Sequence, residues 1–139
     1  DLSGGYLENI NHFVELYSFD LKELEYVNSM FEENEIDIVY HLAAYAAEGL
    51  SPFMRKHNYE NNLIASTNLI TNSIKHNVER FVFTSSMAVY GDEHTPPFSE
   101  DLLPSPIDPY GIAKQAVQWF GHITFMDETK ISGTDIGTY

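Results

Sequence analysis

Arg80-Phe81-Val82-Phe83-Thr84-Ser85-Ser86-Met87-Ala88-Val89-Tyr90-Gly91 decides the fold of this chain. Its first half is a short apolar run rich in aromatic and β-branched residues, the composition of a buried strand in a parallel sheet. The run stops at three hydroxyl residues, Thr84, Ser85 and Ser86. In an open α/β sheet, ligands bind just beyond the carboxyl ends of the strands. Hydroxyls at that point are placed to touch a ligand. For an isolated pair of serines the plainer reading prevails: short polar residues end strands and start turns.

A second stretch, Asp108-Pro109-Tyr110-Gly111-Ile112-Ala113-Lys114, shifts that balance. Asp108 suits a helix N-cap and Pro109 the first helical position. Tyr110 and Lys114 then stand four apart on one helix face. An ammonium beside a phenol favours the phenolate. Tyr-x-x-x-Lys is a weak pattern alone. It gains weight 24 positions beyond the serine that ends a strand.

Together with His41-Leu42-Ala43-Ala44 after another strand and Asn61-Asn62 in the following helix, these motifs have an order and spacing that resemble the extended short-chain dehydrogenase/reductase family, in its nucleotide-sugar epimerase/dehydratase branch. The resemblance runs from Asp1 to about Gln118. It implies an α/β fold: part of a Rossmann-type, doubly wound parallel sheet. The first strand-helix unit, with its glycine-rich phosphate turn, and the C-terminal substrate domain are expected to be missing. Residues 1–120 are read as a partial NAD-binding domain and 121–139 as a divergent or foreign tail.

The function implied is NAD-dependent epimerisation of a nucleotide sugar of the UDP-glucose/UDP-galactose type at C4, through a transient 4-keto sugar. The alternatives are a nucleotide-sugar decarboxylase or reductase of the same family, or a non-catalytic piece. The chain alone is expected to be inactive. By resemblance, Ser86, Tyr110 and Lys114 are the catalytic set, and all three also touch NAD. Asp20 and Leu21 lie along the adenine, Leu42, Ala43 and Ala44 flank the pyrophosphate and ribose, and Asn61 contacts the cofactor. Asp1 matches the acid that binds the adenosine ribose; the adjoining position is the alternative, since many relatives carry two Asp in a row. Ala46 stands where the best-known bacterial epimerases carry a Lys, which leaves the substrate branch open. Dehydratases need an extra acid and base after the serine, and Met87, Ala88 and Val89 can move no proton. The intact protein is expected to be a homodimer, through the helices that begin near Pro52 and Pro109.

The totals set outer bounds. A chain of 139 residues has the size of one domain, and 43% hydrophobic content is ordinary for a globular protein. A net charge of −14 disfavours general affinity for nucleic acid or anionic membranes, though a site can bind phosphate through backbone amides. The absence of cysteine excludes disulfides and thiolate metal sites. The six histidines show no metal-ligand spacing and read as structural or exposed. No apolar run approaches the roughly 18 residues of a membrane span, so a cytoplasmic protein is expected.

Along the chain, His12 to Phe19 has strand character. Asp20 and Glu23 form a candidate capping box for a helix to about Asn34. Ile36 to Leu42 reads as a strand. Ser51 and Pro52 open a long helix to about His76, with Leu63, Thr67, Ile70 and Ile74 as its buried stripe and most of its asparagines on the surface. Asp92 to Ile107 reads as a loop, followed by a helix from Pro109 to about Trp119.

Overall fold

The computed structural model describes residues 2 and 4–125, the last four of them by their backbone. Helix α1 (Leu24–Glu33) leads into strand β1 (Ile38–His41). Helix α2 (Arg55–Tyr59), a π turn (Glu60–Ile64) and helix α3 (Ala65–Lys75) follow without a break. Strand β2 (Arg80–Phe83) and a 3-10 turn (Met87–Tyr90) precede helix α4 (Pro109–Phe125). No described helix is long and apolar enough to cross a membrane.

The strands pair in parallel, Ile38 with Arg80 through His41 with Phe83, and the amide of Thr84 extends the ladder to the His41 carbonyl. A parallel pair needs a crossover, supplied here by α2, the π turn and α3. Alternation puts Phe81 and Phe83 on one face, where they join Val27 and Phe31 of α1, Leu69 and Ile70 of α3, Val78 just before β2, and Val117 of α4 in one buried cluster. Val39 packs on the same cluster, whereas Tyr40, on the other face, is 65% exposed.

Five local expectations are corrected. His12 to Phe19 is no strand: Asn11 turns the backbone by accepting from the Phe13 amide, and Phe13 is 96% exposed. The Asp20–Glu23 capping box does not form, because the Asp20 carboxylate accepts from the Lys22 amide instead (3.0 Å) and α1 begins at Leu24. The long helix starts at Arg55 rather than Pro52, since the Ser51 hydroxyl is engaged elsewhere. Its buried side carries Asn58, Asn62, Ser66, Leu69, Ile70, Asn72 and Ser73, while Ile74 is exposed. Three of the asparagines read as surface residues are therefore interior. The last helix runs on to Phe125, past Trp119. Residues 126–139, most of the tail read as foreign, lie outside the described residues, as does Asp1.

Candidate active site

A cleft of about 700 Å³ opens at the carboxyl end of β1. That size falls within the range of small-molecule sites, about 300–1,000 Å³. Asp20, Leu21, Leu42, Ala43, Ala44 and Asn61 all line it, together with Lys22, Tyr45, Ala46 and His57. Six residues drawn from three separate segments of the sequence thus meet at one concavity. Asn68, on α3, fixes the first segment by donating to the carbonyls of Leu21 (2.9 Å) and Lys22 (3.1 Å).

The polar end of the cleft is held by Lys22. Its Nζ lies 2.9 Å from Asp20 Oδ2 and donates to Asn61 Oδ1 at 3.1 Å. The Lys22 amide and then its ammonium hold the Asp20 carboxyl below the usual carboxylate range, against the opposing effect of burial. Asp20 therefore stays an ionised acceptor at neutral pH. Alanines at 43, 44 and 46 leave the neighbouring wall low, so that a flat group can lie against the backbone.

The second cluster is buried. Asp108 caps α4, its Oδ1 accepting from the amides of Tyr110 (2.7 Å) and Gly111 (3.0 Å), with Pro109 at the first position. Gly111 is required by close approach: a Cβ there would meet the Ala88 carbonyl oxygen at 2.5 Å. Its absence lets the first turn of α4 press on the 3-10 turn that follows Ser86. One helical turn on, Lys114 is 2% exposed; its Nζ donates to the Thr84 carbonyl at 2.8 Å and lies 5.7 Å from the Tyr110 ring centroid. Burial lowers the Lys114 pKa to about 8. The Phe83 ring, 4.6 Å from Nζ, offers a cation–π contact.

The serines divide as strand alternation predicts. Ser85 turns inward, where its hydroxyl accepts from Gln118. Ser86 is half-buried and caps the 3-10 turn by accepting from the Ala88 amide (3.2 Å). Ser86, Tyr110 and Lys114 are thus assembled around the end of β2, and none of them lines the cleft beyond β1. Gly91, at φ +64°, ends the turn where a Cβ would strike the Ser105 carbonyl.

Sequence reading missed the polar residues between the two clusters. Ser51 donates to Asp108 Oδ1 and accepts from the Tyr110 amide. Asn58 donates to the Pro109 carbonyl and Asn62 brackets Tyr45. The available signal was asparagine where a helix would favour better formers. His41 was read as structural or exposed, and it is structural: 3% exposed, with its Nε2 2.7 Å from Ser66 Oγ. Burial, and next the Lys114 charge, lower its pKa to about 4.

The NAD dependent epimerase/dehydratase family model matches residues 3–130. The chain belongs to that family. Its relatives include the UDP-glucose 4-epimerase of Bacillus subtilis, 36% identical over 121 residues, which are 82% of this chain and 36% of that protein. The UDP-glucose 4-epimerase of Dictyostelium discoideum is 35% identical over 76% of this chain and 30% of its own. This family member thus spans about a third of the length of the curated relatives it matches. Among solved structures, the Thermotoga maritima UDP-glucose 4-epimerase with UDP-glucose superposes with a TM-score of 0.86 and 31% identity, over 91% of this chain and 41% of that one. The Thermus thermophilus UDP-glucose 4-epimerase in complex with NAD gives 0.82 and 30% identity, over 88% and 40%. These matches confirm the expected Rossmann-type α/β fold and the expected epimerase/dehydratase family, and NAD is the cofactor of that family.

Proposed function

We propose that the full-length protein interconverts a UDP-sugar of the glucose/galactose type at C4, through a transient 4-keto sugar, with NAD as its cofactor. The observation that carries this reading is the buried Lys114 ammonium, anchored to the Thr84 carbonyl at the end of β2 and one helical turn from Tyr110. The lysine is fixed between the serine-bearing strand end and the tyrosine, on the segments that carry the family resemblance. The cleft beyond β1 fits the adenosine end of the cofactor. Asp20 offers an acceptor, Leu21 and Leu42 offer apolar contact, and the alanines allow backbone approach.

When bound, NAD supplies a reversible hydride acceptor at the sugar C4. Tyr110, as phenolate, takes the proton of the 4-hydroxyl and returns it. Lys114 keeps a positive charge near that phenolate and holds the nicotinamide ribose. Ser86 hydrogen-bonds the reacting oxygen and orients it. Met87, Ala88 and Val89 line the neighbouring 3-10 turn with no acid or base, which favours epimerisation over dehydration. Assembly as a homodimer belongs to the same reading; Trp119 and Phe120 on α4 are exposed apolar groups available to a partner helix.

The test is an epimerase assay of the full-length protein on UDP-galactose with Tyr110→Phe alongside. The reading requires conversion by the wild type and a loss of about 10²–10⁴ in kcat for the variant. Full activity in Tyr110→Phe, or decarboxylated or reduced products from a panel of nucleotide sugars, sinks it.

A further inference from the structure

Two fully buried amides join the cleft loop to the helix that carries Tyr110. Asn62 Oδ1 accepts from the Tyr45 amide (2.8 Å), and its Nδ2 donates both to the Tyr45 carbonyl (3.1 Å) and to Asn58 Oδ1 (2.8 Å). Asn58 Nδ2 donates in turn to the Pro109 carbonyl at 2.8 Å. Tyr45 lines the cleft, and Pro109 is the residue before Tyr110. The path crosses from one cluster to the other in three hydrogen bonds through side chains that are 0% and 2% exposed.

Apolar residues of similar size would fill this space without the cost of burying two amides. What the amides add is direction. Each bond has a narrow range of length and angle, and each loses its value if either end shifts. The Ser51 hydroxyl, between the Tyr110 amide and Asp108, makes a second polar tie to the same helix turn.

We infer that Asn58 and Asn62 form a strut that fixes the start of α4, and with it Tyr110, relative to the Tyr45 loop at the cleft, which makes Asn58 a positioning residue for the reaction proposed above. Asn58 touches no reacting atom. It acts through the backbone of Pro109, so its loss displaces the tyrosine without removing any group that binds the sugar.

Asn58→Asp in the full-length protein is the test, since it keeps the shape but replaces the donor to Pro109 with a carboxylate oxygen. Amide exchange is followed in peptides containing Tyr45, Tyr110 and, as a control, Val82. The strut requires exchange at both Tyr45 and Tyr110 to quicken by about tenfold or more while the Val82 peptide is unchanged. It also requires kcat to fall by about tenfold or more with the KM for the nucleotide sugar within about twofold, because misplacement of about 1 Å can cost up to 10²-fold in rate. Faster exchange at one end alone overturns the strut, as does unchanged kcat in the folded variant. If the wild type epimerises no nucleotide sugar while both ends still respond in exchange, the functional reading falls and the strut stands. Asn58→Ser, neutral and too short to span both partners, replaces Asn58→Asp if the buried carboxylate prevents folding, with the same outcomes.

Discussion

The cleft beyond β1 and the start of α4 are built on opposite plans. The cleft is open and lined by short side chains; its polar groups, Asp20, Lys22 and Asn61, bond chiefly to one another. The α4 start is closed. Asp108, Ser51, Asn58 and the Gly111–Ala88 contact fix its backbone from several sides, and its lysine is buried. The first plan suits a surface that must admit and release a large flat ligand. The second suits a group whose position decides a rate. Changes to the cleft should therefore move affinity, and changes to α4 should move turnover or stability.

Lys114→Met breaks this contrast most sharply. The variant should lose about 10²–10⁴ in kcat/KM, as expected when the charge that supports a catalytic base is removed. Its thermal midpoint should hold or rise, because a desolvated ammonium is exchanged for an apolar chain of similar length. A midpoint several degrees lower would mean that the lysine mainly holds the fold together.

Next comes the pH dependence of stability. His41 has an ordinary pKa of 6.5 that falls to about 4 in the folded chain, by burial first and the Lys114 charge second. Its contribution is whole above about 6.5 and is lost as pH drops toward 4, by up to about 3 kcal/mol. Lys114 works on the alkaline side. Its pKa falls from 10.5 to about 8 by burial, so the folded chain carries a charge penalty below 8 that is relieved as pH rises to 10.5. Denaturant midpoints from pH 4 to 10.5 should rise, level between 6.5 and 8, and rise again from these two groups. His41→Phe should flatten the acid limb.

Gly111→Ala comes third. The added methyl meets backbone rather than a flexible side chain, so α4 must move away from the 3-10 turn. A cost of about 1–3 kcal/mol is expected, read as a lower melting temperature. The smallest effect belongs to the cleft. Asp20→Asn should weaken NAD binding by about tenfold or less in calorimetry and leave the melting temperature nearly unchanged, as a partly exposed ion pair contributes only about 0–1 kcal/mol.

How far the sequence could be read follows the same division. Leu42, Ala43 and Ala44 were legible because they follow the plain apolar run of β1, Ile38 to His41, whereas Asp20, Leu21 and Asn61 were reached only through the family resemblance. The Asp108 cap and the Tyr110–Lys114 face were legible because capping and helical spacing are local. The strut was not. Asn58 and Asn62 pair with backbone 51 and 17 residues away, and local spacing carries no information about such partners. His12 to Phe19 failed for a related reason: a run rich in apolar and aromatic residues marks a possible strand, but a strand exists only where another chain segment supplies its hydrogen bonds.

The π turn at Glu60–Ile64 gives this crossover helix an unusual phase. Asn58, Asn62, Ser66 and Ile70 are all buried, at successive steps of four. In a regular helix each such step overshoots a full turn by about 40°, so the last of the four would have drifted by about 120° from the first. The wider turn absorbs part of that drift and lets one side of the helix face both the cleft loop and the sheet. Losing one residue between 60 and 64 would let this turn close into a regular helix, and the segment beyond it would keep nearly the same facing, because four α steps turn the chain about as far as five of the wider π steps. A residue lost from the regular turns just after Ala65 has no such slack: everything beyond it would swing by about 100° about the axis, and Leu69 and Ile70 would leave the core they share with Phe81 and Phe83.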